Sequence, residues 1–441
     1  MELDMNTGKI LSELEKNGFE AYMVGGCVRD MIMGREIHDT DITTNALPQQ
    51  ITEVFRGYKV IPTGIKHGTV TVICGDTPYE ITTYRIDGKY SDHRRPDTVE
   101  FTTDITDDLA RRDFTMNAIA MDREGNIVDP FGGINDIENR IIRCVGAPEH
   151  RFAEDALRIM RAVRFSSQLG FRIDIRTARS IYDMHPQLSD ISRERLREEL
   201  DKLICGSNAV EVLMEYSNVI SSIIPEFKPC IGLDQRSPYH KFTVWEHIIR
   251  AMAATPQEDL FLRRALFFHD IGKPPCMKLD ETGRGHFKQH DRVGAEMTET
   301  IMKRLRYDKR TIADTVKLIA NHSKKLKNRI DVKKTLSVMG DKLFFRLMEL
   351  KKCDNSAKNP FVADENHVFD SYIEMGRDMI ANNECRSIKG LALKGTDLMA
   401  LGLEGEEIGS TLDELLELVM EERLPNDKRT LTEYMRQRCS R

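Results

Sequence analysis

The sequence predicts an α+β protein in which an α/β head with a small sheet is followed by an all-helical body. Residues 58–101 contain apolar and β-branched stretches separated by turns, a pattern typical of antiparallel strands: YKVIP, GTVTVIC, YEITTYR and TVEF. From about residue 150 the pattern becomes helical, with few glycines or prolines. At 441 residues the chain is too long for one hydrophobic core, so we expect two to four domains.

The remaining elements follow in chain order. Residues 1–20 predict a short helix that leads into a glycine turn, and residues 107–122 predict a helix followed by a return strand. A proline-rich patch marks a domain boundary at Pro225, Pro229 and Pro238. Beyond it the chain is predicted to be helical to its end, with breaks near Pro274-Pro275, residues 351–360 and residues 382–390.

Composition describes an ordinary globular protein, with 40% hydrophobic and 31% charged residues. No apolar run approaches the ~20 residues that span a bilayer, and MELDMNTGKI has no signal-peptide pattern. Nine scattered cysteines without a CxxC pair favour reduced thiols, so we expect a cytoplasmic protein without membrane contact. The net charge of −6 argues against indiscriminate nucleic-acid binding. Local charge differs, because residues 303–334 carry twelve basic and three acidic side chains.

The most informative segment begins with Gly25-Gly26 and continues to Asp39 and Asp41. A glycine turn before a helix lets backbone N–H groups approach an anion. Two aspartates that alternate along a strand would point their carboxylates the same way. Together these parts would bind a triphosphate and its divalent metals, as at a nucleotidyl-transfer site. Taken singly, the glycine pair is also typical of a tight connection, and Asp-x-Asp of a solvated strand edge.

Residues 154–165 have strong helical character. On such a helix Asp155, Arg158, Arg161 and Arg164 would form an inclined polar ridge, which could equally be a ladder of i,i+3 salt bridges. Cytosine and adenine both present an exocyclic amine donor beside a ring-nitrogen acceptor. An aspartate that accepts from the amine and an arginine that donates to the ring nitrogen would select these two bases. Guanine and uracil would meet mismatches that cost about 1–3 kcal/mol each when buried.

At this point the chain closely resembles class II tRNA nucleotidyltransferases, the bacterial CCA-adding enzymes and their poly(A) polymerase relatives. The resemblance runs from about residue 20 to 205 and rests on four ordered motifs: Gly25-Gly26-x-Val28-Arg29-Asp30 with Asp39-x-Asp41, Arg111-Arg112-Asp113-Phe114-Thr115-Met116-Asn117-Ala118, Glu154-Asp155-x-x-Arg158-x-x-Arg161 and Ser192-Arg193-Glu194-Arg195-Leu196-Arg197-Glu198-Glu199. It implies a polymerase-β-like nucleotidyltransferase head, and template-independent addition and repair of the 3′-terminal CCA of tRNA. The implied substrates are CTP and ATP, with pyrophosphate released and tRNA bound at its 3′ end and its acceptor and elbow region.

The resemblance also implies roles for individual residues. It assigns catalytic Mg²⁺ to Asp39 and Asp41, with Glu80 as a third carboxylate. It assigns nucleotide contacts to Gly25, Gly26, Arg29, Arg112, Asp113, Asn117, Asp155, Arg158, Arg161 and Arg164. Within this set Asp155 and Arg158 form the base template. The full-length stretch Tyr84–Pro96, which includes Asp92–Pro96, corresponds to a loop that helps switch the pocket from cytosine to adenine. We therefore favour complete CCA addition over a poly(A) or A-adding polymerase.

The helical half contains separated histidines and an adjacent His269-Asp270 after an apolar run. A lone histidine on an apolar helix is usually a core residue, but this set also fits imidazole and carboxylate ligation of a metal. Residues 240–360 resemble HD-domain phosphohydrolases. The resemblance matches His247, His269, Asp270 and Asp354 to the core ligands, and His290 and His322 to the extra ligands of two-metal members, with His286 as a spare. It implies Mn²⁺, Ni²⁺ or Fe²⁺, and either hydrolysis of phosphate esters or a scaffold role.

The predicted domains are therefore a nucleotidyltransferase head, a helical neck and body, an HD domain and a helical tail, at residues 1–145, 146–232, 233–375 and 376–441. The acidic tail could contact the tRNA elbow or be purely structural. A third reading makes the protein an HD hydrolase whose head only docks nucleotide or RNA. The Asp39 and Asp41 pair argues against it, because pure docking needs no such carboxylates.

Overall fold

A computed structural model describes residues 4–37, 39–88 and 98–439 of the chain. The chain divides into two compact units, Met1–Lys228 and Pro229–Arg441. The boundary lies within the proline-rich patch that the sequence singles out. The finer division of each unit into two domains stays a prediction.

The first unit contains a small mixed sheet with strands in the order β3-β4-β5-β2-β1-β8-β9. Strand β2 pairs with β5 in parallel, and the other neighbours in this sheet are antiparallel. The strands of the unit are β1 (Ala21–Val24), β2 (Asp41–Thr44), β3 (Lys59–Gly64), β4 (Thr69–Cys74), β5 (Thr77–Thr83), β6 (Arg85–Asp87), β7 (Val99–Phe101), β8 (Ala120–Met121), β9 (Ile127–Val128), β10 (Ile141–Ile142) and β11 (Arg172–Ile173). Alternate residues of β4 are buried, as the alternating sequence predicts.

Helices cover this sheet and form the rest of the first unit. They are α1 (Met5–Lys16), α2 (Gly26–Ile32), α3 (Pro48–Val54), α4 (Ile105–Ala110), α5 (Gly133–Glu138), α6 (Pro148–Glu154), α7 (Leu157–Leu169), α8 (Ile175–Met184), α9 (Arg193–Ile204), α10 (Ala209–Glu215) and α11 (Ser217–Ile223). The predicted α+β class and the antiparallel strands over residues 58–101 are confirmed.

The second unit is mostly helical, with one short hairpin. Its elements are α12 (Val244–Ala253), α13 (Leu260–Phe268), α14 (Lys273–Cys276), β12 (Lys278–Leu279), β13 (Gly285–His286), α15 (His290–Arg304), α16 (Lys309–Asn321), α17 (Arg329–Met339), α18 (Asp341–Ser356), α19 (Pro360–Ala363), α20 (His367–Ala381), α21 (Gly395–Ala400), α22 (Glu406–Met420) and α23 (Lys428–Cys439). The last three helices share an apolar cluster that includes Leu393, Leu415 and Leu431. The body is therefore not all-helical, since it contains β12–β13 and the parallel β10–β11 pair that joins it to the head.

The prediction that Asp39 and Asp41 both lie on one strand is wrong. Strand β2 begins at Asp41, and Asp39 lies in the segment before it. Strand β1 ends at Val24, where Gly25 turns the chain into α2, so β1 pairs with β2 only from Ile42 onward. Asp39 therefore has no ladder partner in the described part of the sheet.

The prediction of one continuous helix over residues 154–165 is also wrong. Helix α6 ends at Glu154, and Asp155 adopts an extended conformation with φ −144° and ψ 102°. The Asp155 carboxylate accepts a hydrogen bond from the Leu157 N–H at 3.0 Å, so it caps the next helix instead of continuing the first. Asp155 thus lies at a helix junction, and the three arginines of the predicted ridge lie on α7.

Candidate active site and metal centre

A cleft of about 650 Å³, here called the head cleft, lies in the first unit. All ten residues that the sequence proposes for nucleotide contact line it, together with the proposed Mg²⁺ ligand Asp41. The ten are Gly25, Gly26, Arg29, Arg112, Asp113, Asn117, Asp155, Arg158, Arg161 and Arg164. Asp39 and Glu80 are not among its lining residues. Asp39 lies two residues before Asp41 in the chain, and Glu80 lies on the strand next to that of Asp41.

Asp41 and Glu80 are register partners in the parallel pair β2–β5. Register neighbours on adjacent strands share a face of the sheet, and both side chains are solvent-accessible there. Crowding by protein atoms raises the pKa of Asp41; Arg112 opposes the shift and the nearby Asp39 carboxylate adds to it. Grouped carboxylates of this kind are oxygen ligands suited to Mg²⁺.

Gly25 forms the turn from β1 into α2 with φ +83°. A Cβ at this position would be strained, and it would lie 3.0 Å from Arg112 Nη1. The glycine therefore allows the chain to turn and the Arg112 guanidinium to approach the backbone.

Asp108, which the sequence analysis missed, is fully buried beside the cleft arginines. It forms ion pairs with Arg111 at 2.8 Å and Arg112 at 3.3 Å. Its burial alone would raise the pKa of Asp108, but these two cations lower it below the usual value. Arg112 Nε is buried without a hydrogen-bond partner among the described residues. The i,i+4 spacing of Asp108 and Arg112 on a helix is the signal that could have found it.

Asp113 and Asn117 position two further arginines. Arg29 Nη1 donates to Asn117 Oδ1 at 2.7 Å, Asn117 Nδ2 donates to Asp113 Oδ1 at 3.1 Å, and Arg161 Nε donates to Asp113 Oδ2 at 2.7 Å. The pKa of Asp113 falls to about 2, because Arg161 and these hydrogen bonds outweigh the opposing effect of burial. The Arg29 and Arg161 guanidinium groups lie 5.1 and 5.3 Å from the Phe165 ring centroid. Asp113 and Asn117 therefore fix the direction of the arginines.

The two proposed template residues have separate partners. Asp155 pairs with Arg195 of α9, whose Nη2 lies 2.6 Å from Asp155 Oδ2. Arg158 pairs with Glu154 and donates through Nη2 to the Arg111 carbonyl at 3.0 Å. Arg195 lies in a quoted motif, but its partner is forty positions away and could not be read from the sequence.

Arg164 differs from the other ridge residues. It lies on the cleft wall but is mostly buried, where it pairs with Glu199 of α9 and donates through Nη1 to Gln168 at 2.7 Å. Burial is the main cause that lowers the pKa of Arg164. Its position favours a supporting role over direct contact with a nucleotide.

The predicted base-switching loop falls largely outside the described residues, because the structure does not describe residues 89–97. Its flanks form the antiparallel pair β6–β7, and the Gly88 N–H donates to the Thr98 carbonyl at 2.9 Å. Arg85 and Asp87 of β6 line the head cleft. The role of the loop stays a prediction.

In the second unit, six side chains from separate helices and helix ends converge in two overlapping groups, here called the metal centre. One group is His247, His269, Asp270 and Asp354, and the other is Asp270, His290 and His322; within each, all ligand atoms lie within 4.8 Å of one another. Asp270 joins the two groups. Its Oδ2 lies 3.2 Å from the Nε2 atoms of both His247 and His269, and its Oδ1 lies 3.3 Å from His290 Nε2.

The four histidines are oriented by the backbone. Their Nδ1 atoms face the carbonyls of Ala357, Leu266, Phe287 and Ile319 at 3.2, 2.6, 2.6 and 2.7 Å. A proton on Nδ1 leaves the Nε2 lone pair directed at the centre. The Nε2 atoms of His290 and His322 are only 3.1 Å apart, so two lone pairs face each other. This donor set fits two divalent cations: His247, His269 and Asp354 would hold one, and His290 and His322 the other, with Asp270 a member of both groups.

Charge around the metal centre supports the same interpretation. Burial would lower the pKa of His269, but Asp270 and Asp354 raise it to about 9. Burial lowers the pKa of His322 to about 4, which keeps that imidazole neutral near pH 7. A bound cation would replace the proton that His269 shares with the carboxylates. His286, the spare ligand of the sequence analysis, instead pairs with Asp280 at 2.7 Å.

His240 was missed by the sequence analysis and packs edge-on against His247, with ring centroids 5.0 Å apart. Burial, followed by the charge of Lys273, lowers the pKa of His240 to about 2.

Comparison with known protein families matches three successive segments of the chain, in the order that the sequence predicts. Residues 21–143 match the family profile described as poly A polymerase head domain, and residues 170–231 match the probable RNA- and SrmB-binding site of polymerase A. Residues 240–354 match the HD domain. The crystal structure of the Bacillus stearothermophilus CCA-adding enzyme in complex with CTP is 30% identical; the alignment covers 99% of this chain and 97% of that one, with a TM-score of 0.75.

The chain belongs to the family of CCA-adding enzymes. Curated members include the CCA-adding enzyme of Lactobacillus helveticus, 47% identical over 57% of this chain and 64% of that protein. The Geobacillus thermodenitrificans enzyme is 54% identical over 46% of this chain and 50% of that protein. The matched segment thus spans about half to two thirds of these relatives. A Thermotoga maritima member in complex with tRNA shares the fold, with 18% identity and a TM-score of 0.59 over 99% of this chain and 96% of that one. No helix in the described part of the chain is long and apolar enough to cross a bilayer.

Proposed function

We propose that this member of the family adds the 3′-terminal CCA to tRNA from CTP and ATP and releases pyrophosphate. The observation that carries the proposal is the head cleft itself. In it Asp41 of β2 lies beside arginines whose direction is fixed by Asp108, Asp113 and Asn117, and Glu80 of β5 is the register partner of Asp41. A nucleotidyl transfer needs both parts, because the triphosphate must be bound and the developing charge stabilised.

In this proposal Asp39, Asp41 and Glu80 bind Mg²⁺. Bound there, Mg²⁺ would supply activation of the RNA 3′-hydroxyl and neutralisation of the triphosphate. Arg29 and Arg112 bind the triphosphate, and the fixed geometry holds the α-phosphorus for in-line attack by the RNA 3′-hydroxyl oxygen. The new P–O bond forms as the bond to pyrophosphate breaks, and the hydroxyl proton leaves to solvent.

Base selection in this proposal depends on Asp155 and Arg158, from a helix junction and the first turn of α7. Asp155 accepts from the exocyclic amine and Arg158 donates to the ring nitrogen, so cytosine and adenine fit and guanine and uracil do not. Arg195 and Glu154 orient these two side chains. Arg161 and Arg164 support the template from α7.

The test is incubation of the full chain with tRNA that lacks CCA, with labelled CTP and ATP separately and together. We expect two C followed by one A. Long tracts of A alone would instead support a poly(A) or A-adding polymerase, and no incorporation would contradict nucleotidyl transfer. Asp41→Asn should abolish incorporation, and Asp76→Asn, an exposed aspartate on the β4–β5 turn, is the matched control.

We also propose that the metal centre hydrolyses phosphate esters. The specific observation is Asp270, whose two oxygens face two separate groups of histidine nitrogens. Mn²⁺, Ni²⁺ or Fe²⁺ suits these imidazole and carboxylate donors, and such cations would supply a nucleophilic water and charge neutralisation. The test is release of p-nitrophenol from p-nitrophenyl phosphate by the Mn²⁺-loaded full chain. His269→Ala should abolish it, and equal rates for the two proteins would contradict the proposal.

A further inference from the structure

Phe165 of α7 places a benzene ring among the arginines of the head cleft. It lines the cleft and is 6% exposed. The described lining contains eight arginines against four aspartates, so the cleft carries an excess of positive charge. The face of a benzene ring is rich in electrons and attracts cations, whereas crowded arginines repel one another. The ring is therefore placed to act on the cations around it.

The position of the Phe165 ring is fixed by its surroundings. It contacts the fully buried Phe114 ring edge-on, with the ring centroids 5.9 Å apart and the planes at 87°. The Arg164 guanidinium lies over the Phe165 ring, 3.7 Å from its centroid. Arg164 is itself held by an ion pair with Glu199 and by Gln168, to which its Nη1 donates at 2.7 Å. A core aromatic side chain and an anchored cation thus hold the ring in place.

Two further guanidinium groups lie over the same ring. Those of Arg29, on α2, and Arg161, on α7, lie 5.1 and 5.3 Å from its centroid. Arg29 donates to Asn117 and Asp30, and Arg161 donates to Asp113. A guanidinium has five N–H donors, so these bonds to described residues leave donors on both groups for an anion. The ring therefore brings together donors from two helices.

Like charges around this ring oppose one another. Burial is the main cause that lowers the pKa of Arg164, and the charge of Arg161 adds to that effect. Such repulsion drives flexible side chains apart when no anion is bound. The attraction of each guanidinium to the ring face opposes this movement, so less conformational entropy is lost when an anion binds. An aliphatic side chain of similar size would not supply that attraction.

We propose that Phe165 is a positioning residue for the triphosphate of the incoming nucleotide. Its ring keeps the Arg29 and Arg161 guanidinium groups together as one anion-binding patch, and Arg164 anchors the ring. This inference rests on the proposed nucleotidyl transfer and adds to it an aromatic side chain to which the sequence assigns no role. It predicts that phosphate binding depends on the electron density of the ring. Base selection, which depends on Asp155 and Arg158, should change little.

The test replaces Phe165 in the full chain by phenylalanine analogues with one, two, three and five fluorines, inserted by stop-codon suppression. Fluorine withdraws electrons from the ring face and changes the shape of the side chain little, so the series weakens the attraction to cations stepwise. We expect KM for CTP in addition to tRNA to rise with each step, to about tenfold for five fluorines, with kcat within about threefold. Incorporation of UTP relative to CTP should stay within about twofold. The first three steps test the trend even where five fluorines lower the melting temperature.

The ¹⁹F resonances of the same proteins give a second readout that needs no turnover. A resonance at position 165 reports on an anion bound beside that ring, and the probe is tripolyphosphate, which has no base. Its dissociation constant should weaken about tenfold from one to five fluorines. The matched control is the same series at Phe55, a fully buried residue of the same unit that does not line the head cleft and contacts the Tyr58 ring edge-on at 5.5 Å. In this control KM for CTP should stay that of the unmodified protein.

The outcomes separate this inference from the proposed function. Dissociation constants or KM values that do not follow the number of fluorines, or an equal trend at Phe55, would overturn the inference and leave nucleotidyl transfer intact. Loss of base selection without weaker phosphate binding would also overturn it, in favour of a role in the base template. An unmodified chain that adds no nucleotide would contradict nucleotidyl transfer, and the tripolyphosphate constants would still decide whether Phe165 positions an anion site.

Discussion

At the scale of single residues, a few buried carboxylates fix the direction of the arginines in the head cleft. Asp113 is the clearest case, because it is 8% exposed and shares its two oxygens between Arg161 and Asn117. Asp108 does the same for Arg111 and Arg112. These carboxylates stabilise the fold and also orient the arginines of the site. Their contribution can therefore be measured as a change in the free energy of unfolding.

Asp113→Asn should lower the free energy of unfolding by about 2.5 kcal/mol at pH 7. The pKa of Asp113 is about 2 in the folded protein and close to 4 in an unfolded chain, and one pKa unit corresponds to ~1.4 kcal/mol. Because the folded pKa is the lower one, this stabilisation is present above pH 4 and is lost as the pH falls from about 4 to 2. Urea unfolding at pH 7, 4 and 3 measures the difference between variant and parent, with exposed Asp183→Asn as the control. A difference that does not shrink below pH 4 would refute the assignment.

Asp155→Ala should relax selectivity for C and A more than it alters metal affinity. Removal of the acceptor eliminates one mismatch penalty of about 1–3 kcal/mol, so misincorporation of UTP or GTP relative to CTP should rise roughly 5- to 150-fold. Single-nucleotide incorporation with each of the four triphosphates measures this ratio, and Asp183→Ala is the control. If the variant still discriminated fully against UTP and GTP, the hypothesis that Asp155 is part of the base template would be wrong.

At the scale of elements, the metal centre depends on how closely the segment after α13 approaches the start of α15. Gly272, two residues after Asp270, is the contact point. A Cβ there would lie 2.3 Å from the His290 carbonyl oxygen and 2.5 Å from the Gly294 nitrogen. A glycine is therefore needed for Asp270 and His290 to face each other.

Gly272→Ala should move α15 away and remove one of the two expected Mn²⁺ ions. We also expect a loss of about 1–3 kcal/mol in stability from overpacking. Metal content by mass spectrometry after loading and desalting measures the first effect, and thermal unfolding measures the second. Gly409→Ala on α22 is the control, since its added Cβ meets nothing within 4 Å. Two ions retained in the Gly272 variant would contradict the need for this close approach of Asp270 and His290.

At the scale of the whole molecule, each site is built within its own compact unit. Every lining residue of the head cleft lies before residue 229, and every residue of the metal centre lies after it. The residues named for each site therefore come from one unit only.

Substitutions in one unit should leave the other reaction intact. His269→Ala should reduce phosphate-ester hydrolysis by more than about 100-fold and keep CTP addition to tRNA within about twofold. Asp41→Asn should do the reverse. Both activities are measured on the same Mn²⁺- and Mg²⁺-loaded preparations. Loss of CTP addition in His269→Ala, with an unchanged melting temperature, would instead reveal coupling between the sites.

From the sequence alone, the α+β class and the order of the matched parts could be predicted, and candidate residues could be named for both sites. Local sequence patterns are enough for these predictions, because the alternation of apolar and polar residues, glycine turns and motif spacing all involve residues close together in the chain. The three-dimensional structure was needed to show that Asp155 lies at a helix junction paired with Arg195, that Glu80 lies beside Asp41 on the neighbouring strand, and that Asp270 joins two groups of histidines. Apart from His269, which directly precedes Asp270, these partners are 20 to 52 positions apart in the chain. They come into contact because whole strands and helices pack together, and a local sequence pattern does not predict that packing.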